Sequence, residues 1–327
     1  MSPREGRRGG ASGAGREGGG GRGGDGGAGS ADRGQGRAAP KPSKGIRGAE
    51  RFRAGGTGRG LAGDRSPSER SFRERGVGGE QVEGRQAVRE LLAARRRRVR
   101  EVWMDGALEP APVLDEIMRL AERAGVPIRM TPRLESLART DASQGVIARA
   151  EPLPVAIDDD LLAEPAAFLV ALDGVTDPRN LGAILRSAEG AGATGVLLPR
   201  RRSVHVTPAV TKAAAGAIEH MRIALVPGVP ATLERARRAG VWAVGVDERG
   251  DTDLFGLDLA SEPVVLVLGA EGRGLSRLSR ERCDVVARIP MLGRLDSLNV
   301  ASAAALACFE VARRRTRRVA DGSTLPD

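Results

Sequence analysis

The chain has 327 residues and a net charge of +10, with aromatic residues at only 2% and no tyrosine. That length leaves room for two domains beside a tail, while the scarcity of aromatics argues against recognition of splayed bases chiefly by stacking. Two Cys and two His are too few for a disulfide framework or a metal cluster, so no metal is expected. The charge is concentrated: residues 1–70 hold 15 Arg and Lys against 7 Asp and Glu, and 26 of the 46 glycines precede Glu80. The rest of the chain is nearly balanced, so any contact it makes with a polyanion must come from local patches.

Residues 1–75 carry almost no apolar side chains and cannot offset the entropy of ordering, which predicts a disordered tail. Two readings of it stay open: a cationic arm on RNA phosphates, or a low-complexity tail without a specific partner. No apolar run approaches the roughly 18 residues of a membrane span, and the N-terminus lacks a signal-peptide core. The expectation is a soluble, cytoplasmic protein with no membrane contact, in which Cys283 and Cys308 are small core residues in a reducing compartment.

Order is predicted from residue 76. Gly84 to Val88 leads into a helix with Val88, Leu91 and Leu92 on one face. A strand over 100–105 follows, then a helix with Leu114, Ile117, Met118 and Ala121 at i, i+3, i+4, i+7. Gly125 ends that helix, a strand covers 126–130, and a short helical piece precedes a strand over 144–148. This is a small α/β unit spanning 76–151. Its cluster Arg95–Arg98 either grips phosphate or caps helix carbonyls and faces water. Three prolines and Asp158-Asp159-Asp160 mark 152–165 as an interdomain linker.

Beyond it, strands at 168–172, 195–198, 222–226, 242–246, 264–268 and 285–289 alternate with helices at 180–190, 207–217, 231–239, 275–282 and 298–315. Such alternation predicts a parallel sheet covered on both faces, over 166–318, with a short tail at 319–327. Three segments follow strands directly, where ligands of such sheets bind. The first is Asp173-Gly174-Val175-Thr176-Asp177-Pro178-Arg179-Asn180-Leu181-Gly182, continuing to Arg186. The second is Leu268-Gly269-Ala270-Glu271-Gly272-Arg273-Gly274. The third runs from Ile289-Pro290-Met291 to Ser297-Leu298-Asn299, where Pro290 ends the strand, Asp296 or Ser297 is placed to cap the last helix, and Ala301-Ser302-Ala303-Ala304-Ala305 permits close backbone approach. Neither a dinucleotide fingerprint nor a Walker-type loop is complete in the chain.

Together, Asn180-x-Gly182-x-x-x-Arg186, Gly269-x-Glu271-Gly272 and Ile289-Pro290-Met291…Ser297-Leu298-Asn299 resemble, in order and spacing, the three motifs of the SpoU (TrmH-type) RNA ribose 2′-O-methyltransferases. The resemblance covers residues 77–316, and within the family it is nearest to the bacterial enzymes that methylate a guanosine of large-subunit ribosomal RNA. It implies a C-terminal domain with a deep trefoil knot, a small N-terminal substrate-binding domain with a ribosomal-protein-like fold, S-adenosylmethionine as methyl donor, RNA as substrate and a homodimer. It further implies that Gly245, Gly269, Ile289, Met291 and Leu298 contact the cofactor, and that Asn180, Arg186, Glu271, Ser297 and Asn299 line the reaction site. Two positions depart from the family pattern: Ala301, where serine is frequent, bears on helix-start hydrogen bonding, and Ser143, where histidine is common, bears on RNA recognition. An always-charged guanidinium is a poor base, so Arg186 is expected to stabilise the developing alkoxide or fix a phosphate, with Glu271 orienting it or accepting the proton. A transfer-RNA target and a catalytically idle RNA-binding factor remain the alternatives.

Overall fold

The computed structural model describes residues 76–140, 143–201, 206–258 and 262–320. The predicted disordered tail, 1–75, lies outside the described residues. The chain folds as two lobes, each built on its own sheet.

In the N-terminal lobe, β1 (Gln81–Glu83), β4 (Val146–Ala150), β2 (Val99–Asp105) and β3 (Ile128–Thr131) lie side by side in that order. Only the β2–β3 pair is parallel. Helices α1 (Arg85–Ala94) and α2 (Pro112–Ala124) cover one face. Val88, Leu91 and Leu92 of α1 and Leu114, Ile117 and Ala121 of α2 meet Val82, Val102 and Ala148 in one apolar cluster, as their spacing predicts. Met118 departs from that expectation and is 42% exposed.

The C-terminal lobe carries seven strands: β5 (Phe168–Asp173), β6 (Gly195–Pro199), β7 (Ile223–Val226), β8 (Trp242–Val246), β9 (Thr252–Asp253), β10 (Val264–Gly269) and β11 (Val285–Arg288). They are ordered β7-β6-β5-β10-β8-β11-β9, and every pair is parallel. Alternate residues of β5 serve opposite faces. Phe168, Val170 and Leu172 pack under α4 (Pro178–Gly190), α5 (Pro208–Ala213) and α8 (Val300–Ala320). Leu169 and Ala171 pack under α3 (Asp158–Leu162) and α6 (Val229–Arg238), on the face where α7 (Arg277–Arg282) also lies. Both faces are buried, which is why these strands read as unbroken apolar runs. The chain leaves β5 toward β6 on one side, while β10 inserts on the other. The loops after β5, β8, β10 and β11 therefore gather at one edge, beside the switch in strand order where open α/β sheets bind ligands.

Three expectations change. The segment read as a linker contains α3: Leu161 and Leu162 are buried, and Asp158 and Asp159 pair with Arg235. Its acidic run sits in the first turn, where negative charge favours a helix. The Arg95–Arg98 cluster does not act as one basic surface. Arg97 is buried against Glu219 of the C-terminal lobe, and Arg96 donates to the carbonyls of Glu219 and Met221. Finally, neither Asp296 nor Ser297 caps the last helix. Asn299 does so, its Oδ1 accepting from Ala301 N at 2.8 Å, and the helix continues through Ala320, into the predicted tail. No helix among the described residues is long and apolar enough to cross a membrane.

Candidate active site

The edge described above holds a cleft of about 280 Å³ between the ends of β8, β10 and β11 and the start of α8. Gly269, Glu271, Ile289, Met291, Ser297, Leu298 and Asn299 all line it. Its acidic side chains are Asp247, Glu248, Glu271 and Asp296, and among the described residues no Arg or Lys contributes to the lining. A site of that charge suits a cation and disfavours a phosphate.

Each segment reaches the cleft for a local reason. Pro178 and the Asp177 side chain, which accepts from Arg179 N at 2.8 Å, start α4 just past β5. Leu181, Ile184 and Leu185 turn to the core, which leaves Asn180 at the helix mouth. Gly182 is a packing residue: a Cβ there would lie 2.3 Å from that of Ala213 on α5. After β10 the chain closes a tight turn, with Ala270 and Gly274 exchanging backbone hydrogen bonds of 3.1 and 2.9 Å. A Cβ on Gly269 would stand 2.1 Å from the Gly274 carbonyl carbon. The glycine is thus required by the chain's own turn, whatever ligand approaches it.

Side chains from the three segments join directly. The Asn180 amide Nδ2 donates to Glu271 Oε1, and Asn180 Oδ1 accepts from Asn299 Nδ2 at 3.1 Å. Because Asn299 Oδ1 already accepts from Ala301 N, its amide has only one orientation that also satisfies Asn180. This settles both amides without ambiguity between oxygen and nitrogen. It also supplies the helix-start bond that Ala301 cannot make with a side chain of its own.

Two of the predicted residues lie elsewhere in this chain. Gly245 is beneath the cleft and does not line it; a Cβ there would meet Leu275 Cδ1 at 2.6 Å and Cys283 Sγ at 3.0 Å. Arg186 lines a separate depression with Gln86, Glu90, Glu189 and His220. Six residues along a helix place it about 9 Å from Asn180 and about 120° around the axis, so one helix cannot present both to the same cleft. Glu271 accordingly contacts Asn180, and the expected orienting of Arg186 by Glu271 is not made within the chain.

The sequence reading missed Asp247. It follows β8 directly and is buried, and its carboxylate accepts from Leu275 N and Arg249 N, each at 3.0 Å, and from Arg249 Nε at 3.2 Å. Arg280 pairs with it as well. Burial alone pushes this carboxyl up, but the Leu275 and Arg249 donors and Arg280 outweigh it and hold the pKa at about 2. A charged residue directly after an apolar strand was the available signal.

Comparison with known proteins decides the family. The family model described as SpoU rRNA Methylase family matches residues 167–309, and one described as RNA 2′-O ribose methyltransferase substrate binding matches 81–156. The 23S rRNA (guanosine-2′-O-)-methyltransferase RlmB of Pseudomonas putida is 38% identical over 72% of this chain and 97% of its own length. The chain belongs to the SpoU rRNA methylase family. A second relative of this SpoU chain, the RlmB of Ralstonia nicotianae, is 43% identical over 62% of the chain and 83% of its own length. Among solved structures, the SpoU methyltransferase AviRb of Streptomyces viridochromogenes in complex with AdoMet aligns with a TM-score of 0.61 at 28% identity, covering 78% of this chain and 95% of AviRb. The parallel-sheet lobe is therefore the SpoU methylase fold.

Proposed function

We propose that this SpoU protein transfers a methyl group from S-adenosylmethionine to the ribose 2′-hydroxyl of a guanosine in 23S rRNA, in the cytoplasm. The hydrogen-bonded chain Glu271–Asn180–Asn299, which joins all three motifs at the rim of one cleft, carries this reading. The lining fits the cofactor: Leu268, Ile289, Met291 and Leu298 offer apolar surface, exposed backbone offers hydrogen bonds, and the carboxylates suit a sulfonium. Bound there, S-adenosylmethionine supplies an electrophilic methyl group. Asn180 engages Glu271 Oε1 and leaves Oε2 to accept the ribose hydroxyl proton, a role that contributes roughly 10²–10⁴-fold. Gly269, Ile289, Met291 and Leu298 hold the cofactor, with Gly245 supporting the turn from below, and Ser297 and Asn299 position the ribose.

Residues 76–151 would bind RNA and 166–318 would form the catalytic domain. The trefoil knot is what membership of the family implies for 166–318, and the close approach at Gly250, where a Cβ would meet the Ala287 carbonyl carbon at 2.6 Å, is compatible with it. A homodimer is supported by the apolar side chains of Leu292, Leu295 and Phe309, which are 99%, 74% and 52% exposed and would gain from burial against a second copy. In that dimer Arg186 acts on the partner's cleft, which accounts for its position away from its own.

Methylation mapping of large-subunit rRNA treated with the protein and S-adenosylmethionine tests the reading. One guanosine should gain a 2′-O-methyl group, Glu271→Gln should lower turnover about 100-fold or more, and a mixture of Glu271→Gln with Arg186→Ala should regain activity through mixed dimers. A wild-type protein that does not bind S-adenosylmethionine, or that modifies only transfer RNA, overturns it.

A further inference from the structure

The turn that forms one wall of the cleft is closed by its own backbone bonds between Ala270 and Gly274, and it is also held from outside the three motifs. That turn, 269–275, touches two other segments through one carboxylate. Asp247 Oδ2 accepts from Leu275 N at 3.0 Å, while Oδ1 accepts from the Arg249 backbone and side chain and pairs with Arg280. Arg249 extends the link, its Nη2 donating to the carbonyl of Arg273 at 3.1 Å. Asp247 is itself fastened by its backbone, its N–H donating to Ala287 O at 3.0 Å and its carbonyl accepting from Gly250 N at 2.9 Å. The turn is cut to fit this carboxylate. Gly274 has φ +65°, and a Cβ there would lie 2.3 Å from Asp247 Oδ2. One side chain with no exposed surface thus ties the β8 loop, the β10 turn and α7 together.

We propose that Asp247, with Arg249 and Arg280, is a positioning residue that presets the 269–275 turn and thereby the affinity of the cleft for S-adenosylmethionine. The inference rests on the cofactor assignment made above. Preorganisation of this kind acts on binding because the turn is not reordered when the ligand arrives. Asp247 also differs in its role from the other acidic lining residues, Glu248, Glu271 and Asp296. Its oxygens are occupied by the protein's own donors, so it shapes the wall and does not take the ligand.

Calorimetric titration of S-adenosylmethionine into the cofactor-free protein tests it. Asp247→Asn should weaken binding at least tenfold, and amide exchange over 270–275 should accelerate in the absence of cofactor. Arg97→Met, which removes a buried partner at the lobe junction, is the control for mere destabilisation and should leave the affinity within about twofold. Asp247→Asn that folds and binds as wild type overturns the proposal, as does a control that weakens binding equally. If Asp247→Asn does not fold, Arg249→Ala reads the same link from the surface: a Kd raised threefold or more supports the role, and an unchanged one overturns it. Wild-type protein that binds no S-adenosylmethionine would instead overturn the cofactor reading itself.

Discussion

Glu219 and Asp247 are both buried carboxylates met by arginine, one at the junction of the lobes and one beside the cleft. Glu219 receives a single guanidinium, with Arg97 Nε at 3.1 Å from Oε2 and Nη2 at 2.5 Å from Oε1, and neither side chain reaches solvent. Burial pushes its carboxyl up, with Arg97 pulling against that. Asp247 adds two backbone N–H groups to its guanidiniums and is held at about 2. The difference lies in the number of independent donors. A carboxylate with one partner depends wholly on it, whereas one with several organises its surroundings and survives the loss of any one.

Breaking the junction pair should give the largest effect. Arg97→Met strands Glu219 and also releases the carbonyls of Gly79 and Glu151, which Arg97 Nη1 binds at 3.2 and 3.1 Å. A loss of about 3–5 kcal/mol is expected in urea denaturation. Adding Glu219→Leu should recover most of it, since an apolar pair of similar volume satisfies the same space. The single variant should also regain stability as pH falls, because a stranded Glu219 escapes its burial cost by taking a proton. A double variant no more stable than the single one would mean that the carbonyl bonds, and not the stranded charge, dominate.

Asp247 sharpens the contrast through the opposite sign. Its folded pKa of about 2 lies below the ordinary 3.8, so its contribution is full above about pH 4 and is lost as pH falls toward 2. A depression of that size corresponds to about 2 kcal/mol. The stability gap between wild type and Asp247→Asn should therefore be widest near neutral pH and shrink between pH 4 and pH 2, as read by chemical denaturation at each pH. A gap that widens on acidification would reverse the assigned sign.

The same contrast explains what could be read from the sequence. The C-terminal strands were legible because residues such as Val264 to Leu268 are buried on both faces and leave an unbroken apolar run. The three motif segments were legible because each sits directly after such a strand. Arg97 was not, since an arginine in the run Arg95–Arg98 reads as surface charge until Glu219, 122 residues away, is placed against it. Asp247 was hidden for a similar reason: Arg249 is close in sequence, but Leu275 and Arg280 become its partners only in the fold. Arg186 was legible as a motif residue and, by its spacing, as lying on a different helix face from Asn180, but what packs opposite that face was not. The two edge strands β1 and β9 were too short to show a period.

The smallest effect should come from the other side-chain pair at the junction, Glu90 with His220. Their side chains approach to 2.8 Å but are 22% and 40% exposed, so water competes with the contact in both states. Glu90→Gln removes the charge and keeps the stem, and it should cost less than about 1 kcal/mol in urea denaturation. The stem is a different matter. Gly216 adopts φ +88°, and a Cβ there would stand 2.5 Å from Glu90 Cβ, so the lobes touch closely through this side chain's carbons. Shape at that point and charge at Arg97 would then hold the lobes together, with the surface pair adding little. A cost for Glu90→Gln comparable to that of Arg97→Met would instead make the exposed pair part of the same network as the buried one.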